Sequence, residues 1–428
     1  MYVSVMDYRR RIVDRELDEL FPDLPAIALD GAKGVGKTET ALRRAEASVR
    51  LDVGAAQQTV LADPESILTR PRPLLIDEWE RVPAVWDVVR RAVDADGRGG
   101  QFLLTGSATP ALGATAHSGA GRIARMRMRP MTLSERGVEE PTVGLAQLLS
   151  GGRAPLAGNT GVRLVDYVRE LTASGLPGIR RMGERAREFQ LDSYLRNVVD
   201  RDIPEQGVAV RKPDLMLDWL RAYAAASSTT AGYSQILDAS TPGISDKPAR
   251  TTTTAYRDAL MQLWLLDPVP AWGPAGNPFT RLQQTPKHQL ADPALAVRLL
   301  GLSADALLDG EGEPLGPQQG TMLGHLFESL ATLCVRVAAE AAGARVGHLR
   351  TRNGDHEIDL VVVRRDGRFV AIEVKLSGTV DDRDVRHLRW IRERLGDDVL
   401  DAIVVTTGPD AFRRPDGIGV VPLALLAP

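Results

Sequence analysis

At 428 residues, 43% hydrophobic and 25% charged, the chain has a globular composition and is too long for one ordinary core. Its 53 Lys and Arg against 56 Asp and Glu leave a formal net charge of -3, which excludes a global attraction to nucleic acid or acidic membrane. The single cysteine, Cys334, excludes an internal disulfide and a cysteine metal cluster; in its apolar surroundings it reads as a small core residue.

The N-terminal stretch MYVSVMDYRRRIVDRELDEL has no apolar run of signal-peptide length, and no later stretch approaches a membrane span. A cytoplasmic protein without a membrane partner is therefore expected. Apolar runs then alternate with helical patterns: PAIALD, TETALRRAEASVRL, PLLIDE, VPAVWDVVRRAVDA, FLLTGS. Short buried strands between amphipathic helices predict a parallel α/β sheet.

GAKGVGKT at 31–38 fits G-x-x-x-x-G-K-[ST], with a strand before it and a helix after it. Gly31, Gly34 and Gly36 let the backbone turn its N–H groups onto phosphate oxygens. Lys37 neutralises β/γ-phosphate charge, and Thr38 is placed to ligand Mg²⁺. In PLLIDEWE, Asp77 and Glu78 end an apolar strand; Asp77 suits Mg²⁺ held through water, and Glu78 the base on the attacking water. FLLTGS ends in Thr105 and Ser107, either of which is a candidate for the γ-phosphate or that water. ATP or GTP is expected to bind, with Mg²⁺, and hydrolysis to follow.

GRIARMRMRP at 121–130 alternates Arg with apolar residues, giving a strand one apolar and one cationic face. Arg122, or one of Arg125, Arg127 and Arg129, is a candidate arginine finger, in its own chain or toward a neighbour in a homo-oligomer; a solvated face is the alternative. A Gly- and Pro-rich loop is expected at 151–161, then mainly helices to about residue 300. For Arg196, Asp200, Arg201 and Asp202 the expectation is local ion pairing.

Residues 214–272 read as three helices with short turns, the outline of a winged helix-turn-helix. Ser245 or Asp246 would cap the third helix, where Pro248 is tolerated. Lys247, Arg250 and Thr251 to Thr254 would open a recognition helix toward DNA, although such modules also serve as protein-binding units. A linker-like stretch at 309–320 leads to a separate α/β tail: helix 322–342, strands 345–350, 357–364 and 369–376, helix 381–395, strand 401–406.

The tail contains EIDLVVVRRDGRFVAIEVK at 357–375, in which Glu357, Asp359, Glu373 and Lys375 interrupt apolar strands. Charged groups are costly to bury unless paired or ligated. The order of IVDRELDEL, AIALDGAKGVGKTETA, LLIDEWERVPAVWDVVRRAVD, FLLTGSATP, GRIARMRMRPMTLSE, LDSYLRNVVDRDI, GHLFESL and this hairpin resembles prokaryotic AAA-type ATPases that end in an uncharacterised domain with a restriction-endonuclease-like core. The resemblance covers nearly the whole chain. It implies an α/β multidomain protein: an AAA-type P-loop ATPase core (1–160), a lid-like helical extension (161–213), a winged-helix-like domain (214–308) and a nuclease-like D…ExK domain (309–428).

Two functions then stand open. In one, an ATPase is coupled to DNA: Asp359, Glu373 and Glu328 hold Mg²⁺, Lys375 polarises the nucleophile, and Arg350, Arg352, Arg383, Arg386, His387 and Arg389 meet phosphates. In the other, ATP sets the conformation or assembly of a binding protein whose tail is an inactive scaffold. The hairpin turn offers a geometric test. A two-residue turn of Asp366 and Gly367 puts Asp359 and Glu373 on opposite faces; a three-residue loop from Arg365, with Gly367 left-handed, sets them face to face.

Overall fold

A computed structural model describes residues 8–108, 119–241, 250–273, 285–309, 322–351 and 354–428. Ser245, Asp246, Lys247, Pro248, Arg352 and most of the 309–320 linker lie outside the described residues, as does the side chain of Arg250. Strands β1 (Ala26–Asp30), β2 (Ala47–Arg50), β3 (Leu74–Asp77), β4 (Phe102–Gly106) and β5 (Ala124–Arg127) form a parallel sheet in the order β2-β3-β4-β1-β5. Along β1, Ile27 and Leu29 enter one core while Ala26 and Ala28 enter another with Trp79 and Trp86, so the sheet is buried on both faces.

The stretch TETALRRAEASVRL divides, contrary to its helical pattern: the helix is Lys37–Leu42, and Ala47–Arg50 is β2, parallel to β3. Val49, 2% exposed, fills the core beside the sheet, so strand pairing outweighs the helix propensity of the preceding residues.

Strands β6 (Val143–Gly144) and β7 (Gly158–Asn159) come next, then β8 (Arg345–Arg350), β9 (Glu357–Val363), β10 (Phe369–Val374), β11 (Val399–Thr406), β12 (Asp410–Arg413), β13 (Gly419–Pro422) and β14 (Leu426–Ala427). The second sheet runs β7-β12-β13-β11-β10-β9-β8, and β6 pairs in parallel with β14. Thus the stretch before residue 160 is tied to the tail: Asn159 pairs with Asp410, and Val143 with Leu426. The helix expected over 381–395 spans only Arg386–Leu395, because Asp381 caps a local turn by accepting from the N–H of Arg383.

The middle of the chain forms the helices Leu164–Ala173, Glu184–Asn197, Pro213–Ala225, Tyr233–Ser240, Arg250–Gln262 and Pro293–Leu299. Antiparallel bridges Leu266–Leu290 and Val269–Lys287 follow the third of the three expected middle helices, and Ala271 bridges to His348 on β8. One apolar core runs from Val13 through these helices to Leu426 and centres on the helix Met322–Ala341. That helix is long and apolar enough to cross a bilayer by length and composition, which corrects the expectation that no stretch is. Here 83% of its apolar window is buried inside the protein, as befits a core helix.

Candidate functional site

The loop after β1 is shaped by close approach. A Cβ at Gly31 would stand 2.1 Å from the Met128 carbonyl oxygen, while Gly34 and Gly36 hold φ of +82° and +104°. The helix Lys37–Leu42 starts directly behind the loop. Lys37, 6% exposed, donates through Nζ to the carbonyls of Gly31 (2.7 Å) and Ala32 (3.0 Å) and to Ser107 Oγ (3.4 Å). Burial pushes its ammonium down to about 8, against the opposing pull of Glu78 and Glu80.

Asp77, at the end of β3, accepts from Thr38 Oγ1 at 2.8 Å and from Thr105 Oγ1 at 2.5 Å. Glu78 follows in the left-handed region (φ 56°, ψ 45°), a conformation that costs a non-glycine residue about 1–2 kcal/mol. This turn takes Glu78 out of the strand, and its Oε1 accepts from Ser107 Oγ at 3.2 Å. The two hydroxyls are thereby sorted. Thr105 serves Asp77, and Ser107 stands between Lys37 and Glu78.

These groups open on a cavity of about 1100 Å³, lined among others by Lys33 to Thr40, Glu78, Ser107, Met128 and Arg180. A Walker-type donor set of loop N–H groups, one buried ammonium, a hydroxyl and two carboxylates suits a nucleoside triphosphate with Mg²⁺.

Arg122 is placed elsewhere: its Nε donates to Asp94 at 2.8 Å, its side chain is half exposed, and it is absent from the cavity lining. As a group that reaches the phosphates of its own chain it is therefore corrected. The other arginines of β5 and its extension turn to carboxylates. Arg125 pairs with Asp30 at 2.6 Å, Arg127 and Arg129 with Asp267 at 2.9 and 2.6 Å, and Arg129 also with Glu340. Arg336, from the helix Met322–Ala341, reaches the same Asp267 at 2.9 Å. Against the upward push of burial, these three guanidinium groups hold the Asp267 carboxyl well below the usual carboxylate range. At Arg127 and Arg129 the cationic face is a buried joint, while the Arg125 side chain stays 43% exposed.

Three other partners of the site carry little local sequence signal. Arg11 donates to the carbonyls of Val35 (2.8 Å) and Arg129 (2.7 Å), fastening the N-terminal helix to the loop. Lys33 pairs with Asp202 at 2.5 Å, so Asp202 serves the phosphate loop where pairing with its helical neighbours was expected; Arg196 pairs with Asp214. Glu80 accepts the Ser107 N–H at 2.7 Å, and burial followed by the Glu78 charge pushes its carboxyl up to about 7. Its position two residues after Glu78 in LLIDEWE is the one sequence hint among them.

In the tail, Phe369 pairs with Val363 and Ile372 with Leu360, and the Gly367 N–H donates to the Arg364 carbonyl. This is the three-residue loop with Gly367 left-handed (φ +89°), and the register continued by one step brings Asp359 and Glu373 face to face. Lys375 pairs with Glu373 at 2.9 Å, and the Val374 N–H donates to Asp359 Oδ2 at 2.9 Å.

The centre of this cluster is nevertheless an ammonium. Lys287 Nζ donates to Glu328 Oε1 and Asp359 Oδ1, both at 2.8 Å, and lies 3.3 Å from Glu357 Oε1. Glu357 thus belongs to the cluster although it stands outside the D…ExK spacing. Against the downward push of burial, Asp359, Glu328 and Glu357 hold Lys287 well above its ordinary range. Against burial in turn, Lys287 and then Lys375 keep Asp359 depressed, while burial raises Glu328 to about 8 and, with Asp359, raises Glu373 well up. Among the described residues no group of three or more His, Cys, Asp or Glu is arranged to hold a metal ion. Of the three expected Mg²⁺ ligands, Glu328 and Asp359 converge on Lys287, while Glu373 is held by Lys375. Of the expected phosphate-contacting bases, Arg389 is held by Asp416 (2.6 Å) and Asp382 (2.8 Å), and Arg350 donates to Thr230 at 2.6 Å.

Compared with known proteins, residues 23–136 match an AAA domain, residues 165–306 a domain of unknown function (DUF8612), and residues 323–426 another domain of unknown function (DUF4143). Two uncharacterized proteins, one of Mycobacterium bovis and one of Mycobacterium tuberculosis, are each 27% identical to the chain. Each alignment covers 98% of this chain and 85% of the relative. The AAA match and the parallel sheet together support an AAA-type P-loop ATPase module at the N-terminal end.

Proposed function

We propose that the protein is a Mg²⁺-dependent ATPase that works as a nucleotide-controlled switch, with ATP hydrolysis at the loop of 31–38 altering how the middle and C-terminal units are held. The observation that carries the catalytic part is Ser107 Oγ, 3.4 Å from Lys37 Nζ and 3.2 Å from Glu78 Oε1. It links the group that neutralises the terminal phosphate to the group that takes the proton of the attacking water. Thr38 and Asp77 would hold Mg²⁺, which supplies charge neutralisation on the phosphates when bound. Lys37 and the loop N–H groups orient the triphosphate, Glu78 orients and deprotonates water, and Ser107 fixes the position of Glu78.

The switch part rests on connectivity. Lys33 in the loop is paired with Asp202, and Arg127 and Arg129 beside it are paired with Asp267 and Glu340 of the middle and C-terminal units. A change in the loop is therefore felt directly by both units.

The DNA-directed reading has its own support. Three helices followed by the antiparallel bridges of 266–290 fit a winged helix, and the tail's helix, three strands, helix and strand fit a nuclease-like core. A cytoplasmic location, where ATP and Mg²⁺ are abundant, suits both readings. The lysine at the centre of the carboxylates favours the switch with a tail that does not cut. Glu78→Gln tests the catalytic assignment: ATP turnover falls by about 10²-fold while ATP binding is retained. Unchanged turnover would remove Glu78 from the mechanism.

A further inference from the structure

We propose that the Lys287 ammonium is the resident cation of the C-terminal carboxylate cluster, so that Lys287 and a divalent cation exclude one another there. This rests on reading residues 357–375 as a D…ExK hairpin, and it names what governs that site. Carboxylates from a helix (Glu328) and from β9 (Glu357, Asp359) converge on one nitrogen at 2.8, 3.3 and 2.8 Å. Oxygen ligands stand about 2.0–2.6 Å from Mg²⁺ or Ca²⁺, so the ammonium fills a position close to the size of a metal site. Lys287 is 1% exposed, and an ammonium is costly to bury without partners, so these contacts are what permits its burial.

The lysine is delivered from outside the tail. Its residue bridges Val269, and the neighbouring strip lies on the edge of β8, where Trp272 N–H donates to the His348 carbonyl (2.6 Å) and His348 N–H to that of Pro270 (3.0 Å). The cation is thus supplied by the same docking that seats the middle unit on the sheet.

A second observation points to a ligand other than lysine. Glu373 is 2% exposed, and its Oε1 has no hydrogen-bond partner among the described residues, Lys375 having taken Oε2. The ammonium donates to Glu328 and Asp359 and pairs with Glu357 at 3.3 Å, and Glu373 is not among its contacts. A divalent cation with six or more positions takes a fourth carboxylate; a lysine does not. The orphaned oxygen of Glu373 is what remains when a lysine holds the centre.

The test uses the full chain without nucleotide and Mn²⁺ alone as the probe, followed by electron paramagnetic resonance and thermal unfolding. Wild type should show no Mn²⁺ uptake that Asp359→Asn removes. Lys287→Ala should unfold at lower temperature without metal, take up one Mn²⁺ and recover stability with it, and the Lys287→Ala/Asp359→Asn double variant should lose that uptake. Should Lys287→Ala not fold, Lys287→Ala/Glu328→Gln, which removes one uncompensated charge, carries the same measurement. Mn²⁺ uptake by wild type that depends on Asp359 and Glu373 would overturn the exclusion while leaving the hairpin's metal site standing. A folded variant lacking Lys287 that takes up no Mn²⁺ would overturn the metal-site reading and the proposal with it.

Discussion

Lys37→Ala is expected to reduce ATP turnover on the order of 10³-fold, with ATP affinity falling in parallel. The lysine is buried at the mouth of the loop, and burial lowers its ammonium to about 8, so the fold holds a cation that is costly to keep charged. A triphosphate placed against Nζ restores that charge, and the pairing is worth more in a dry site than in water. Alanine keeps the loop N–H groups but removes the charge that balances the terminal phosphate. Calorimetric titration with MgATP, alongside far-UV circular dichroism to verify folding, measures the effect. Unchanged affinity would mean that the cavity binds something else.

Asp267→Asn is expected to destabilise the protein by about 3–5 kcal/mol, because it leaves buried guanidinium groups without their counter-charge. Arg129 has a side chain only 2% exposed, Arg336 14% and Arg127 20%, and all three converge on this carboxylate. The pH dependence has a definite sign. A carboxyl whose folded pKa lies below its unfolded value contributes stability that is fully present above the unfolded pKa of about 3.9. That contribution is lost only as the pH falls below the ordinary carboxylate range toward the depressed folded value. Wild type should therefore lose stability along an acid limb that Asp267→Asn lacks, with the difference constant at neutral pH. Urea unfolding at pH 7 and at pH 3 measures both, and equal stability of the two proteins at pH 7 would refute the joint.

The candidate nucleotide site is legible because its residues lie close together in the sequence. Glycines, lysine and threonine lie within eight consecutive residues, and Asp77 and Glu78 end the strand that pairs with β4. The hairpin register was legible for a similar reason: the loop of Arg365, Asp366 and Gly367 sets which carboxylates face one another. What escaped was long-range. The period-two arginines announced a cationic face, but Asp267 lies 140 residues from Arg127 and Glu340 lies 211 from Arg129. Lys287 is 41 residues from Glu328 and 72 from Asp359, and nothing in TPKHQL marks it as the partner of the tail's carboxylates. β6 and β7 are two residues each, too short for an alternation pattern, and exist only through pairing with the far end of the chain.

The proposed activity is ATP turnover at the loop of 31–38 with Glu78 as base. Phosphate release from ATP by the full chain, measured with Mg²⁺ and with EDTA and beside Lys37→Ala and Glu78→Gln, tests it most directly. Wild type should release phosphate only with Mg²⁺, EDTA should abolish that release, and both substitutions should suppress it. Release that persists in EDTA, or that Lys37→Ala leaves unchanged, would contradict it.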